Sequence, residues 1–138
     1  MFNPNIIVKN IVNQPTTQAS LALLARILMA YIFIVAGYGK LTAYSATVGY
    51  MEAMGVPSTM LPLTILVELG GGLALLFGFQ ARFAALGLGV FSIITAFLFH
   101  GGAEDANNFM KNIAMAGGLF YVMLYGAGQF SIDHAIEK

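Results

Sequence analysis

LPLTILVELGGGLALLFGF, residues 61–79, decides the fold class. At 1.5 Å per residue a helix of this length crosses a hydrocarbon core of ~30 Å. Its one charged residue is Glu68. A carboxylate at membrane depth costs roughly 2.5–3.5 kcal/mol on insertion scales. A cost of that size implies either a partner or a task.

Three further apolar runs flank it, at about 21–41, 82–100 and 109–127. Only 9% of the 138 residues are charged and 59% are hydrophobic. A soluble domain carries about 25% charged residues, so composition points to a membrane protein. Backbone groups in lipid must bond within their own segment, which makes four helices the natural reading. The expected fold is therefore all-α, an integral membrane four-helix bundle. Residues 1–19 form a polar N-terminal segment, 20–133 the four-helix domain and 134–138 a C-terminal tail. The first run exceeds the length of a signal-peptide core and no cleavage site follows it, so it reads as a retained span.

The connections are short. Gly78–Arg82 makes a tight turn between spans two and three, and GGAEDANN (101–108) is a polar loop. The longer segment 42–60 carries Tyr44, Tyr50, Met51 and Met54 ahead of Gly55 and Pro57. It reads as a short interfacial helix with a stop. Neither an internal repeat nor a domain boundary is evident.

Net charge is zero, so nothing points to nucleic acid as a partner. The chain has no cysteine, which excludes thiol–disulfide chemistry and thiolate-bound metal or iron–sulfur clusters on its own residues. With the N-terminus inside, Lys9, Arg26, Arg82 and Lys138 fall on the cytoplasmic side and Lys40 and Lys111 on the other. The positive-inside rule then favours cytoplasmic termini at both ends.

Each span carries one stripe of small or polar residues at helical spacing. These are Arg26, Ala30, Phe33, Gly37 and Lys40 in the first, and Leu61, Thr64, Glu68, Gly71, Leu75 and Gly78 in the second. The third has Ala85, Gly89, Ser92, Ala96 and His100. The fourth has Lys111, Ala114, Gly118, Tyr121, Tyr125 and Gly128. Facing stripes let helices approach closely, and Gly70–Ala74–Gly78 adds a small-xxx-small run.

Depth selects partners for Glu68. It lies roughly 10 Å below the outer end of its span, and Lys40 ends span one on that side with a stem able to reach inward. Arg26 lies roughly 10 Å away along the normal and meets Glu68 only if the helices are staggered. Arg26, Lys40 and Glu68 are thus the structural-pair candidates. His100, Lys111 and Asn112 close the outer ends of spans three and four, so Lys40, Glu68, His100, Lys111 and Asn112 form the candidate binding set. Two readings stay open. One is structural glue under an ordinary polar rim; the other is a pocket for a small polar head group or a quinone ring. No metal site is expected, because His100 and His134 fall at opposite ends of the bundle.

The runs RILMAYIFIVAGYGKL (26–41), VELGGGLALLFGFQAR (67–82) and KNIAMAGGLFYVMLYGAGQFSID (111–133) resemble the DoxX family of small bacterial inner-membrane proteins. Matching elements in order are Arg26 with Gly-x-x-Lys40, Glu68-x-Gly-Gly, Lys111-Asn112 and Ser131-x-Asp133. The resemblance covers about residues 20–133. It implies a four-helix inner-membrane bundle acting as membrane subunit or anchor in a redox or quinone-linked process. Quinone is then the candidate cofactor, and redox proteins, lipid and a second copy of the chain are candidate partners. Some relatives serve a thiosulfate–quinone oxidoreductase. The bundle also resembles that of vitamin K epoxide reductase, whose cysteines this chain lacks. A non-catalytic membrane scaffold is the rival reading, and a small oligomeric transporter a third.

Overall fold

A computed structural model describes residues 1–138, all helical with no strands. The helices are α1 (Pro4–Val12), α2 (Pro15–Thr42), α3 (Tyr44–Ala53), α4 (Ser58–Phe77), α5 (Ala81–Phe99), α6 (Ala106–Tyr125) and α7 (Ile132–Ile136). Three of them, α2, α4 and α5, are long and apolar enough to cross a membrane. Helix α6 packs along α5, while α2 packs along α4. Large apolar side chains such as Leu28, Leu66, Phe83 and Phe97 face outward, as lipid-facing residues do.

Helix α2 begins at Pro15, inside the stretch expected as a polar segment. Proline suits the first turn, where its missing N–H costs nothing. The α3 helix ends at Ala53 with Met54 as its C-cap, after which Gly55 at φ +74° turns the chain. Within α4 the residues Leu66–Gly70 form a π-helical turn, flanked by regular α-helix. The turn between α4 and α5 uses left-handed backbone at Gly78 (φ +67°) and Gln80 (φ 50°). At Gly78 the choice of residue is forced twice over, since a Cβ there would also collide with Ser131.

The core is built from the stripes of the first three spans. Ala30 and Phe33 from α2, Leu75 from α4, and Ala85 and Leu88 from α5 make one cluster with Leu119 of α6. A smaller cluster of Met51, Leu61 and Ile65 holds α3 against α4.

Two packing expectations need correcting. In α6 the buried face is Asn112, Ala116 and Leu119, whereas Lys111, Ala114, Tyr121 and Tyr125 are exposed. The rotation follows from what each side chain can bond. Asn112 finds polar partners on α5, while a lysine and two tyrosines keep their polar tips at the surface. In α4, Gly70 meets only Leu66 of its own helix. Close approach comes instead through Gly72, where a Cβ would lie 2.9 Å from Ile34 Cγ1, and through Gly37 of α2.

Candidate functional site

One cavity of about 330 Å³ lies among α2, α3, α4, α5 and α6. Lys40, Glu68, His100, Lys111 and Asn112 all line it. Its apolar wall includes Phe33, Phe91 and Phe99. Tyr50 of α3 stacks on Phe99 with ring centroids 5.7 Å apart and also lines the space.

The Lys40–Glu68 contact depends on how closely α2 and α4 cross. A Cβ on Gly37 would sit 2.8 Å from the Leu69 backbone nitrogen, so only glycine allows this approach. One turn later Lys40 Nζ donates to both carboxylate oxygens of Glu68, at 3.0 and 2.8 Å. Glu68 belongs to the π turn, a local widening that often marks functional positions. The pair is unequally covered: the lysine side chain is 30% exposed and the glutamate 8%. A buried carboxylate with a partly exposed cation is an ion pair with one open side.

The next group hangs from the end of α5. His100 bonds through Nδ1 to Asp105. Asn108 donates to the other oxygen of Asp105 at 2.6 Å, and Lys111 donates to Asn108 Oδ1 at 3.2 Å. Hydrogen bonds from His100 and Asn108 hold the Asp105 carboxyl below the usual aspartate range. With Nδ1 engaged, Nε2 is the ring nitrogen left to face a ligand. Asn112 is buried and donates to Ser92 O at 3.3 Å and Thr95 Oγ1 at 3.0 Å.

Arg26 is elsewhere. It is 1% exposed and bonds main-chain carbonyls rather than Glu68. Nε donates to Ala127 O at 3.0 Å, and Nη1 donates to Leu75 O and Leu76 O at 3.1 and 2.9 Å. Nη2 donates to Phe130 O. These carbonyls close the end of α4 and the segment after α6, where helices leave acceptors without partners. Nearby, Asp133 accepts from the backbone N–H groups of Gln80 and Ala81 at 2.7 and 2.8 Å, capping α5. A second cavity of about 560 Å³ at this end is lined by Gln18, Arg82, Asp133 and His134, among others. His100 and His134 therefore face different cavities.

Sequence reasoning left Asp105, Ser92, Thr95 and Tyr50 out of the binding set, although Ser92 stood in the stripe of span three and Tyr50 in the interfacial helix. The five-residue spacing of His100 and Asp105 across a loop was the available signal for the first.

Comparison with known proteins bears on most of the chain. The DoxX family model matches residues 21–101. The chain belongs to the DoxX family. Two DoxX relatives come from Escherichia coli K12. Inner membrane protein YqjF is 54% identical over 119 residues, covering 84% of this chain and 92% of that protein. Inner membrane protein YphA is 32% identical over 123 residues, covering 82% of this chain and 88% of its own. No solved structure matches this DoxX chain. The conclusion that stands is a DoxX-family membrane protein whose relatives are inner membrane proteins.

Proposed function

We propose that this chain resides in the bacterial inner membrane as a four-helix bundle with both termini cytoplasmic. We propose further that it serves as a membrane subunit or anchor in a quinone-linked process. Helix α6 supplies the fourth crossing; its 20 residues match a ~30 Å core. The cavity then opens toward the outer leaflet and takes a flat ring bearing polar oxygens.

The observation that carries this reading is the sharing of one cavity by Lys40, Glu68, His100, Lys111 and Asn112, beside aromatic walls. Its volume is at the lower end of the ~300–1,000 Å³ of small-molecule sites, and mixed apolar and polar lining is their usual character. A quinone fits this donor set: its ring suits Phe33, Phe91, Phe99 and Tyr50, and its oxygens suit ammonium and imidazole donors. When bound it supplies a two-electron acceptor, and electrons come from a partner protein. Lys40 and Lys111 favour negative charge on a ligand oxygen. Protonation of His100 at Nε2 gives an imidazolium whose Nδ1–H stays on Asp105, and Glu68 holds a proton when Lys40 swings away.

Native mass spectrometry of protein purified from its own membranes tests the reading, with wild type beside Glu68→Gln. Stoichiometric quinone on the wild type, lost in the variant, is the expected result. No small molecule on either, with both folded, overturns it and turns the search to a scaffold role.

A further inference from the structure

We propose that α1 lies flat in the headgroup layer of the bilayer, with its apolar face in the acyl chains and its polar face in water. This goes beyond the ligand reading and does not depend on it.

Helix α1 contains no buried residue. Ile7, Val8 and Ile11 are 46%, 56% and 50% exposed, and with Val12 they fall on one side of the helix. Lys9 and Asn10 fall opposite with the exposed Ile6 between them, and Asn5 borders the apolar side. The helix is well defined at its start, where Asn3 Oδ1 accepts from Asn5 N at 3.0 Å and Pro4 occupies the first turn. Lys9 suits the negative end of the helix dipole. Nine residues alone are too few for a stable helix in water, so the apolar face needs a cover.

The surrounding structure names that cover. Only Asn13 and Gln14 separate α1 from α2, a helix long and apolar enough to cross the membrane. Gln18 of α2 lines the same cavity as Arg82 and Tyr125, which fixes the level of α2 at that end. Exposed Phe79, Phe83, Tyr125 and Phe130 gather at this end, the arrangement of an aromatic belt at the membrane–water interface. From Pro15 to its first apolar residue, Ala19, α2 rises about 6 Å, which spans a headgroup layer. Helix α1 therefore begins at the depth where an amphipathic helix buries one face. It carries a single cation, so apolar burial rather than attraction to anionic lipid holds it, and zwitterionic vesicles suffice.

The cysteine-free chain suits a direct test. Six full-length single-cysteine variants, at Ile7, Val8, Ile11, Asn5, Lys9 and Asn10, carry a nitroxide label. They are reconstituted in phosphatidylcholine vesicles at high lipid-to-protein ratio. Collision with oxygen and with a water-soluble nickel chelate is then read by paramagnetic resonance. Labels at 7, 8 and 11 should favour oxygen over nickel several-fold, with the ratio reversed at 9 and 10 and intermediate at 5. Nickel access at all six positions overturns the proposal in favour of a helix in water. Shielding of 7, 8 and 11 from both reagents overturns it in favour of a protein partner. Shielding that disappears on dilution with lipid identifies that partner as a second copy.

Discussion

The two ends of the molecule hold their charges in opposite ways. At one end Arg26 is 1% exposed and its three nitrogens bond four main-chain carbonyls from two segments. Every partner is backbone, fixed in place by helix ends, and four of the five guanidinium N–H donors are taken by it. At the other end Lys40 and Glu68 have each other as their recorded side-chain partners, and both line a cavity. Backbone cannot move away without unfolding, but a lysine side chain can. The first arrangement closes the ends of helices; the second leaves a charge pair that borders a cavity.

The sharpest way to break this contrast is to remove each charge while keeping shape. Arg26→Met leaves the Ala127, Leu76 and Phe130 carbonyls without this donor, while Leu75 O keeps the Gly78 N–H; at ~1–3 kcal/mol for each unsatisfied group the loss should be about 3 kcal/mol. Glu68→Gln should cost only about 0.6 kcal/mol, the average of a polar contact within a membrane. Reversible unfolding in bicelles measures both. Equal losses would erase the distinction between the two ends.

An intermediate effect is expected at Gly37, where the helices cross just before the ion pair. In Gly37→Val the new side chain meets the Leu69 backbone, which cannot yield as a side-chain tip can. Overpacking of this kind costs about 1–3 kcal/mol. The variant should also separate Lys40 from Glu68, weakening ligand retention together with stability. A variant of normal stability and unchanged ligand retention would show that the close crossing does not position the site.

The smallest effect concerns pH. Asp105 has its carboxyl held below the ordinary aspartate range by His100 and Asn108. For a depressed carboxylate the sign is fixed: the folded contact is fully present above the ordinary range and is lost as pH falls through the lowered value. The loop between α5 and α6 should therefore loosen only in strong acid. In Asp105→Asn that transition should vanish from amide exchange of residues 101–108 between pH 5 and pH 2. Persistence of the transition in Asp105→Asn would assign it to another group.

How much of this was legible in the chain follows from which signals a sequence carries. Spans one to three have their buried faces at the expected residues, because small and polar side chains at helical spacing stand out against an apolar background. Helix α6 defeats that logic. Lys111 and the tyrosines look like a polar stripe, yet they are amphipathic groups at a surface, while the inward position belongs to Asn112. The role of Arg26 was not legible at all, since its partners are carbonyls, which every residue possesses. The apolar face of α1 was masked by the asparagines and glutamine around it.

The sequence by itself determined a helical membrane protein of the DoxX type, with Glu68 as its costly residue and Lys40 within reach. Composition and period suffice for that, because lipid permits so few backbone solutions. Tertiary structure alone decided the rotation of α6, the glycine-permitted crossing at Gly37, the carbonyl cluster around Arg26 and the shared cavity. Those depend on which backbone atoms from distant segments come within about 3 Å of one another, a distance that packing sets and side-chain order does not encode.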